Sequence, residues 1–177
     1  KLTLLYIGIL SKPRFLLELV DVVKELSGVR CIIGGKGKPE YVNALKNKCS
    51  NAQNVDFIGE VPMKDVLPMT KKADVVICMT DPTDKNESRI LANKQFEAMV
   101  CGRPIVCTEG TYPGEFTKKE NVGLVVPYTK NDLKQAIIKL RDDPKLREEF
   151  GKNALKAAIR EYNWNCLLYT SPSPRDS

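Results

Sequence analysis

Short aliphatic runs alternate with longer amphipathic ones along nearly the whole chain. Strand-like runs fall at Leu2 to Gly8, Val29 to Gly34, Val55 to Gly59, Asp74 to Met79, Pro104 to Thr108 and Gly123 to Val126. All are short and rich in Val, Ile and Leu, as strands covered on both faces of a sheet must be. Helical periodicity occupies Arg14 to Leu26, where Phe15, Leu16, Leu19, Val22, Val23 and Leu26 form one broad stripe. It recurs over Pro39 to Lys48, Lys64 to Lys72, Lys94 to Val100, Asp132 to Leu140 and Pro144 to Glu161. These six helices leave the stretch between Thr108 and Gly123 unassigned. The alternation predicts an α/β fold: a Rossmann-like, doubly wound parallel sheet of about six strands with helices on both faces. Such sheets bind ligands beyond the carboxyl ends of their strands, where the strand order switches. Function is therefore sought after Tyr6-Ile7-Gly8, Ile33-Gly34-Gly35, Ile58-Gly59 and Met79.

A length of 177 residues suits one domain with a sizeable core. Hydrophobic residues at 42% and charged ones at 28% are ordinary for a soluble globular chain. No apolar run approaches the roughly 18 residues that a membrane span requires. The 28 Lys+Arg against 22 Asp+Glu give a net charge of +6 without a basic block. That excess suits phosphate-bearing ligands without calling for nucleic acid. One Trp and scattered Tyr and Phe offer no stacking platform for bases, which argues against a nucleic-acid partner. The chain has no His, which excludes His-based zinc sites and Ser-His-Asp or Cys-His catalysis. The six cysteines at 31, 49, 78, 101, 107 and 166 show no C-x-x-C spacing, and three lie in apolar strand-like runs. They read as buried thiols in a reducing cytoplasm rather than a disulfide framework.

Three loops carry candidate chemistry. Gly8-Ile9-Leu10-Ser11-Lys12-Pro13-Arg14 leads from the first strand into the first helix, with two cations beside a helix N-terminus. Lys12 and Arg14 there are either a phosphate site or solvated surface charges. Gly34-Gly35-Lys36-Gly37-Lys38-Pro39-Glu40 resembles a dinucleotide fingerprint only superficially, since Glu40 takes the place of its third small residue. Glycines that let the backbone turn tightly beside a neighbouring ligand explain it better. In the third loop Asn93 is the expected N-cap of a helix ending at Gly102. Amides near Leu91 to Lys94 are placed to hold a diphosphate. Glu97, one turn in, is placed to accept two ribose hydroxyls, with an exposed helical carboxylate as the alternative. Asp81 and Asp84 lack a third ligand, so a solvated loop is preferred to a metal site, and no metal is expected.

In order and spacing, YIGILSKPR, CIIGGKGKPE, VDFIGEVPMKDVLPMTKKADVVICMT, NKQFEAMVCGRPIVCTEG and ENVGLVVP followed by NDLKQAIIKL are together similar to the C-terminal, donor-binding half of family-four nucleotide-sugar glycosyltransferases of GT-B fold. The resemblance spans about residues 2 to 165. It implies transfer of a glycosyl group from a nucleotide-diphosphate sugar to an acceptor hydroxyl, with no cofactor beyond that donor. It places Lys12 and Arg14 at the cations of the donor diphosphate, with Asn93 and Lys94 beside them. Glu97 falls at the ribose-binding carboxylate, and Glu60 and Val61 fall where the backbone reads the base. Arg89 stands where the family commonly has an acidic residue; it is assigned to the diphosphate, and the donor sugar is left open. The acceptor side belongs to a separate N-terminal domain, which would be this chain's partner. That half would also supply any contact with the membrane's inner face.

The expected domain is 1–165. The segment 166–177 lacks periodicity, ends in a Ser/Pro stretch and resembles a translated adaptor sequence, so a disordered, non-native tail is expected there. Residue 1 is Lys and the chain enters a core strand directly, which suggests truncation at that end too. Two rival readings share the α/β alternation. A nucleotide-sugar epimerase has the same architecture, and a non-enzymatic nucleotide-binding or receiver-like module has the same element order. A receiver needs acidic residues where this chain has Gly8 and Gly59.

Overall fold

The computed structural model describes residues 1–86, 88–89 and 92–162. Strand β1 (Leu2–Leu10) leads through a 3-10 turn (Lys12–Arg14) into α1 (Leu16–Lys24). There follow β2 (Val29–Gly37), α2 (Pro39–Ser50), β3 (Val55–Gly59), α3 (Met63–Lys72) and β4 (Val75–Cys78). The second half runs α4 (Asn93–Val100), β5 (Ile105–Thr108), α5 (Tyr112–Glu120), β6 (Gly123–Val126), α6 (Lys130–Asp142) and α7 (Pro144–Tyr162). The six strands pair in parallel in the order β3-β2-β1-β4-β5-β6. The order reverses between β1 and β4, so the ligand-binding crevice of a doubly wound sheet lies at their carboxyl ends.

Two apolar layers sandwich the sheet. On one face Leu4, Tyr6 and Ile33 pack against Leu16, Leu19, Val20 and Val23 of α1 and Leu133, Ile137 and Leu140 of α6. On the other, Val76, Cys78, Ile105 and Cys107 meet Ala98 and Met99 of α4 and Ala154, Ala157 and Ala158 of α7. Alanines on α7 give a shallow surface that admits α4 closely, in the way small residues let packed helices approach. As expected, Cys31, Cys49, Cys78 and Cys107 are buried free thiols, and Cys101 is a partly buried one. Burial pushes the Cys49 thiol up to about 11 and raises Cys31 further, which keeps both protonated and inert. Cys166 and the 166–177 segment lie outside the described residues.

Two expectations are corrected here. The helix expected from Arg14 begins at Leu16, because Phe15 adopts a left-handed conformation (φ 59°, ψ 28°) that divides it from the 3-10 turn. The Phe15 ring packs 4.2 Å, centroid to centroid, from that of Tyr128, and this contact holds a backbone state that costs a non-glycine residue energy. A helix α5 also fills the stretch left unassigned. Thr111 caps it, accepting from the Gly114 amide at 3.0 Å, and Asn121 ends it in the left-handed region (φ 51°). Its buried residues are Pro113, Gly114 and Thr117, with Phe116 packed part-buried against the second apolar layer and no large aliphatic residue. The face must stay small, since a Cβ on Gly114 would lie 2.2 Å from the Thr108 carbonyl oxygen.

Asp21 joins three helices of the first face, accepting from Lys24 (3.1 Å), Lys48 of α2 (2.8 Å) and Lys130 of α6 (3.3 Å). Partial burial works to raise its pKa, but the hydrogen bonds and charges of these lysines win and hold it at about 2. The stability this supplies is complete above the ordinary Asp range and is lost as pH falls from 3.8 towards 2. Because the lysines are partly solvated, the full shift overstates it. Asp21→Asn should therefore cost about 1 to 2 kcal/mol at pH 7 in urea unfolding, and variant and wild type should converge only as pH falls through about 2.

Candidate functional site

The loops leaving β1 and β4 are bonded directly across the switch point. Arg14, only 7% exposed, donates from Nη1 to Thr80 Oγ1 at 3.0 Å. The Thr80 amide donates to Thr108 Oγ1 at the end of β5 (2.9 Å). The Pro13 carbonyl accepts from the Asp81 amide (2.8 Å) and from the Tyr128 hydroxyl (3.0 Å). Four strand ends are thus tied into one rim. Of the two alternatives for this loop, solvated charges are excluded for Arg14, because a guanidinium taken out of water must be held by polar partners. Lys12, by contrast, is exposed. Arg14 is the last residue of the 3-10 turn, directly before the left-handed Phe15.

A second cation enters from the other side. Lys94, in the first turn of α4, is 8% exposed, and its Nζ lies 4.7 Å from the centroid of the Tyr6 ring. A Cβ on Gly8 would come within 3.1 Å of Lys94 Cε and 3.2 Å of Nζ, so a side chain there would displace the lysine end by a few tenths of an ångström, and at φ 155° it would also strain the backbone. The ammonium therefore rests on the end of β1, with a cation–π contact to Tyr6. The Tyr6 hydroxyl donates to the Ile9 carbonyl at 2.5 Å, fixing the ring beneath it. Asn93 is not the N-cap but the first helical residue, and it is exposed. Ala92 caps instead and has no side-chain acceptor, so among the described residues no side-chain cap closes this positive helix end. Leu91 lies outside the described residues.

Glu97 follows Lys94 by three residues on α4 and is half-buried. Burial raises its pKa, and the Lys94 charge pulls it partly back. It is not the freely solvated carboxylate of the alternative reading. Sequence reasoning missed Gln95, which is fully buried and locks α4 to α5 by donating to the Pro113 carbonyl (3.1 Å) and Thr117 Oγ1 (3.2 Å). Its polarity within an otherwise amphipathic helix was the available signal.

On the β2–β3 side, glycines serve close packing. Gly35 has φ 135°, and a Cβ there would fall 1.8 Å from the Gly8 carbonyl oxygen. A Cβ on Gly34 would lie 2.7 Å from Val61 Cγ2, so the turn after β3 seats itself on the end of β2. Val61 borders a cleft of about 320 Å³ with Ile58, Glu60, Pro62, Asp65 and Met69. Glu60 is exposed and pairs with Lys36 at 3.4 Å.

Arg89 is exposed and lines a separate cleft of about 640 Å³ between the loops after β4 and β5. Asp81 Oδ1 is occupied by the Thr83 amide (2.8 Å) and hydroxyl (2.7 Å), and Asp84 Oδ1 by the Asn86 amide (3.0 Å). Among the described residues no three acidic or Cys side chains cluster as a metal site would require. Along the carboxyl edge of the sheet there thus run, in order, the Val61 cleft, the buried cations Arg14 and Lys94, and the larger cleft. No helix among the described residues is long and apolar enough to cross a membrane.

Comparison with known proteins agrees with this geometry. The model of the family described as glycosyl transferases group 1 matches residues 1–157. An uncharacterized glycosyltransferase of Methanocaldococcus jannaschii is 26% identical over 172 residues, covering 93% of this chain and 42% of its relative. Among solved structures, HepE of Anabaena in complex with UDP superposes with a TM-score of 0.76 at 19% identity, over 90% of this chain and 44% of the other. The C-terminal domain of a glycosyl transferase group 1 protein of Francisella tularensis superposes with a TM-score of 0.73 at 19% identity, over 92% and 86%. The chain spans less than half the length of the curated relatives it matches. It belongs to the group 1 glycosyl transferases, and its fold is that of their C-terminal domain.

Proposed function

As a member of the group 1 glycosyl transferases, this chain is, we propose, the half that binds a nucleotide-diphosphate sugar for transfer of its glycosyl group to an acceptor hydroxyl. The observation that carries this is the placement of buried Arg14 and Lys94 at the switch point, Lys94 in the first turn of a helix without a side-chain cap among the described residues. Such a place suits a diphosphate. Arg14 and Lys94 hold its oxygens, the amides at Asn93 and Lys94 add to them, and Lys12 contributes from solvent. Glu97 binds the ribose, and the turn at Glu60 and Val61 receives the base.

When the anomeric carbon–oxygen bond breaks, the diphosphate gains negative charge as it leaves. Fixed cations and helix amides in a partly dry site stabilise that charge without reorganising, and this supplies the electrostatic part of catalysis without a metal. The acceptor is held by a second domain across the cleft, in keeping with relatives more than twice as long.

Calorimetry with UDP, GDP, uridine, guanosine and pyrophosphate tests the reading. One of the diphosphates should bind at least tenfold more tightly than its nucleoside, and the chain alone should transfer no sugar to a hydroxyl acceptor. Equal affinity for nucleoside and diphosphate would remove the diphosphate site. Formation of a glycosylated product would overturn the need for a second domain.

A further inference from the structure

The first turn of α4 carries Lys94, so the rotation and tilt with which this helix starts decide where that charge stands. The connection leading to it does not set them. Residues 79–92 separate β4 from α4, against a usual connection of about 2 to 6 residues in α/β units. Asn93 is exposed, and Lys94 lies along the Tyr6 ring. Gln95, the next residue, ties the turn to a second helix and to the sheet.

Gln95 is fully buried, and its amide nitrogen donates to the Pro113 carbonyl (3.1 Å), Thr117 Oγ1 (3.2 Å) and Cys107 Sγ (3.4 Å). A carbonyl can only accept, so Pro113 determines which end of the amide is the nitrogen. Thr117, also fully buried, gives its own hydrogen to Cys107 Sγ (3.3 Å), which leaves its oxygen to accept from Gln95. Helix α5 is in turn seated on β5 by Thr111, whose hydroxyl donates to the Thr108 carbonyl (2.7 Å). The start of α4 is thus clamped to β5 and α5 by one amide.

The other end of that amide is left over. Gln95 Oε1 is covered and has no hydrogen-bond partner among the described residues, which costs stability in a packed interior. Cys107 belongs to the apolar layer of Ile105, Ala98 and Met99, where an aliphatic side chain would bury without an orphaned acceptor. What the amide supplies and an aliphatic chain cannot is direction: apolar contact is non-directional, whereas a donor shared among fixed acceptors holds a helix at one rotation.

We propose that Gln95 is a positioning residue for the diphosphate site, fixing the first turn of α4 so that Lys94 meets the leaving group. The inference rests on the donor-binding reading above, since Lys94 is the group through which Gln95 acts.

Calorimetry with UDP, GDP, uridine and guanosine compares wild type, Gln95→Leu, Thr117→Val and Thr117→Ser, and then adds Lys94→Ala to wild type and to Gln95→Leu. Gln95→Leu should weaken the diphosphate about fivefold and leave the nucleoside unchanged. Thr117→Val should lose about twofold, and Thr117→Ser should match wild type because its hydroxyl still accepts. Lys94→Ala should cost less on the Gln95→Leu background than on wild type, because an ammonium already out of place has less to lose. Undiminished cost of Lys94→Ala, unchanged diphosphate affinity in Gln95→Leu, or a loss shared equally by nucleoside and diphosphate overturns the proposal. Should Gln95→Leu not fold, the Thr117 pair decides: a diphosphate-specific loss in Val and not in Ser supports the proposal, and equal behaviour overturns it. Amide hydrogen exchange at Lys94 to Glu97 keeps the two readings apart. If wild type binds no diphosphate the donor reading fails, while faster exchange in Gln95→Leu and Thr117→Val still shows Gln95 holding the turn, and unchanged exchange refutes that hold.

Discussion

Arg14→Ala should weaken binding of the nucleoside diphosphate about 10- to 150-fold and leave the nucleoside almost unaffected. A hydrogen bond to a charged group contributes about 1.5 to 3 kcal/mol, and only the diphosphate receives it. The effect should be at the upper end, since Arg14 is 7% exposed and little screened by salt. Lys12→Ala should cost less than fivefold and should lose its effect as salt is raised, because that side chain is in water. Arg14→Lys separates charge from shape: a point charge cannot both reach Thr80 and present a planar fork, so an intermediate loss is expected. The same substitutions remove the Arg14–Thr80 bond that joins the β1 and β4 loops, so melting temperatures must be measured alongside. If nucleoside and diphosphate weaken equally, Arg14 works by holding the rim and not by touching phosphate.

The difference between Lys12 and Arg14 shows where sequence reasoning stops. Two cations two residues apart in one loop were equivalent as text, and only the folded loop, with its left-handed turn at Phe15, separates buried Arg14 from exposed Lys12. That turn is sustained by Tyr128, more than a hundred residues away, and no local pattern contains it. The strands were legible because buried parallel strands are near-continuous aliphatic runs. Their ends were not: β1 continues to Leu10 and β2 to Gly37, because Gly35 and Gly37 let polar, turn-like sequence remain paired. Helix α5 was invisible for a related reason, its packing face being Pro, Gly and Thr with the single Phe116 rather than an apolar stripe. Lys94 is the most consequential residue whose setting the sequence concealed. It reads as an ordinary lysine at a helix start, and its end packs against Gly8 and the Tyr6 ring of a strand far away in sequence.

Glu97→Ala should weaken diphosphate binding about 10- to 150-fold, the loss expected when an ionised acceptor of two ribose hydroxyls is removed. Its surroundings make the prediction sharper than position alone. Burial has raised its pKa, so the folded chain binds a proton there more readily than the unfolded one. Stability therefore falls as pH rises from the ordinary Glu range through that raised value, and at neutral pH the ionised form is carried at a cost. Glu97→Gln removes that cost, so it should be at least as stable as wild type above the Glu range while binding more weakly. Loss of affinity with no loss of stability is the mark of a group kept for a ligand. Its amide oxygen still accepts one hydroxyl, so the Gln variant should retain more affinity than Ala. A 2′,3′-dideoxynucleoside diphosphate supplies the control: having no hydroxyls to give, it should bind wild type and Glu97→Ala almost equally. If Glu97→Ala weakens both ligands alike, or if Glu97→Gln destabilises the chain at neutral pH, the carboxylate serves the fold and the ribose lies elsewhere.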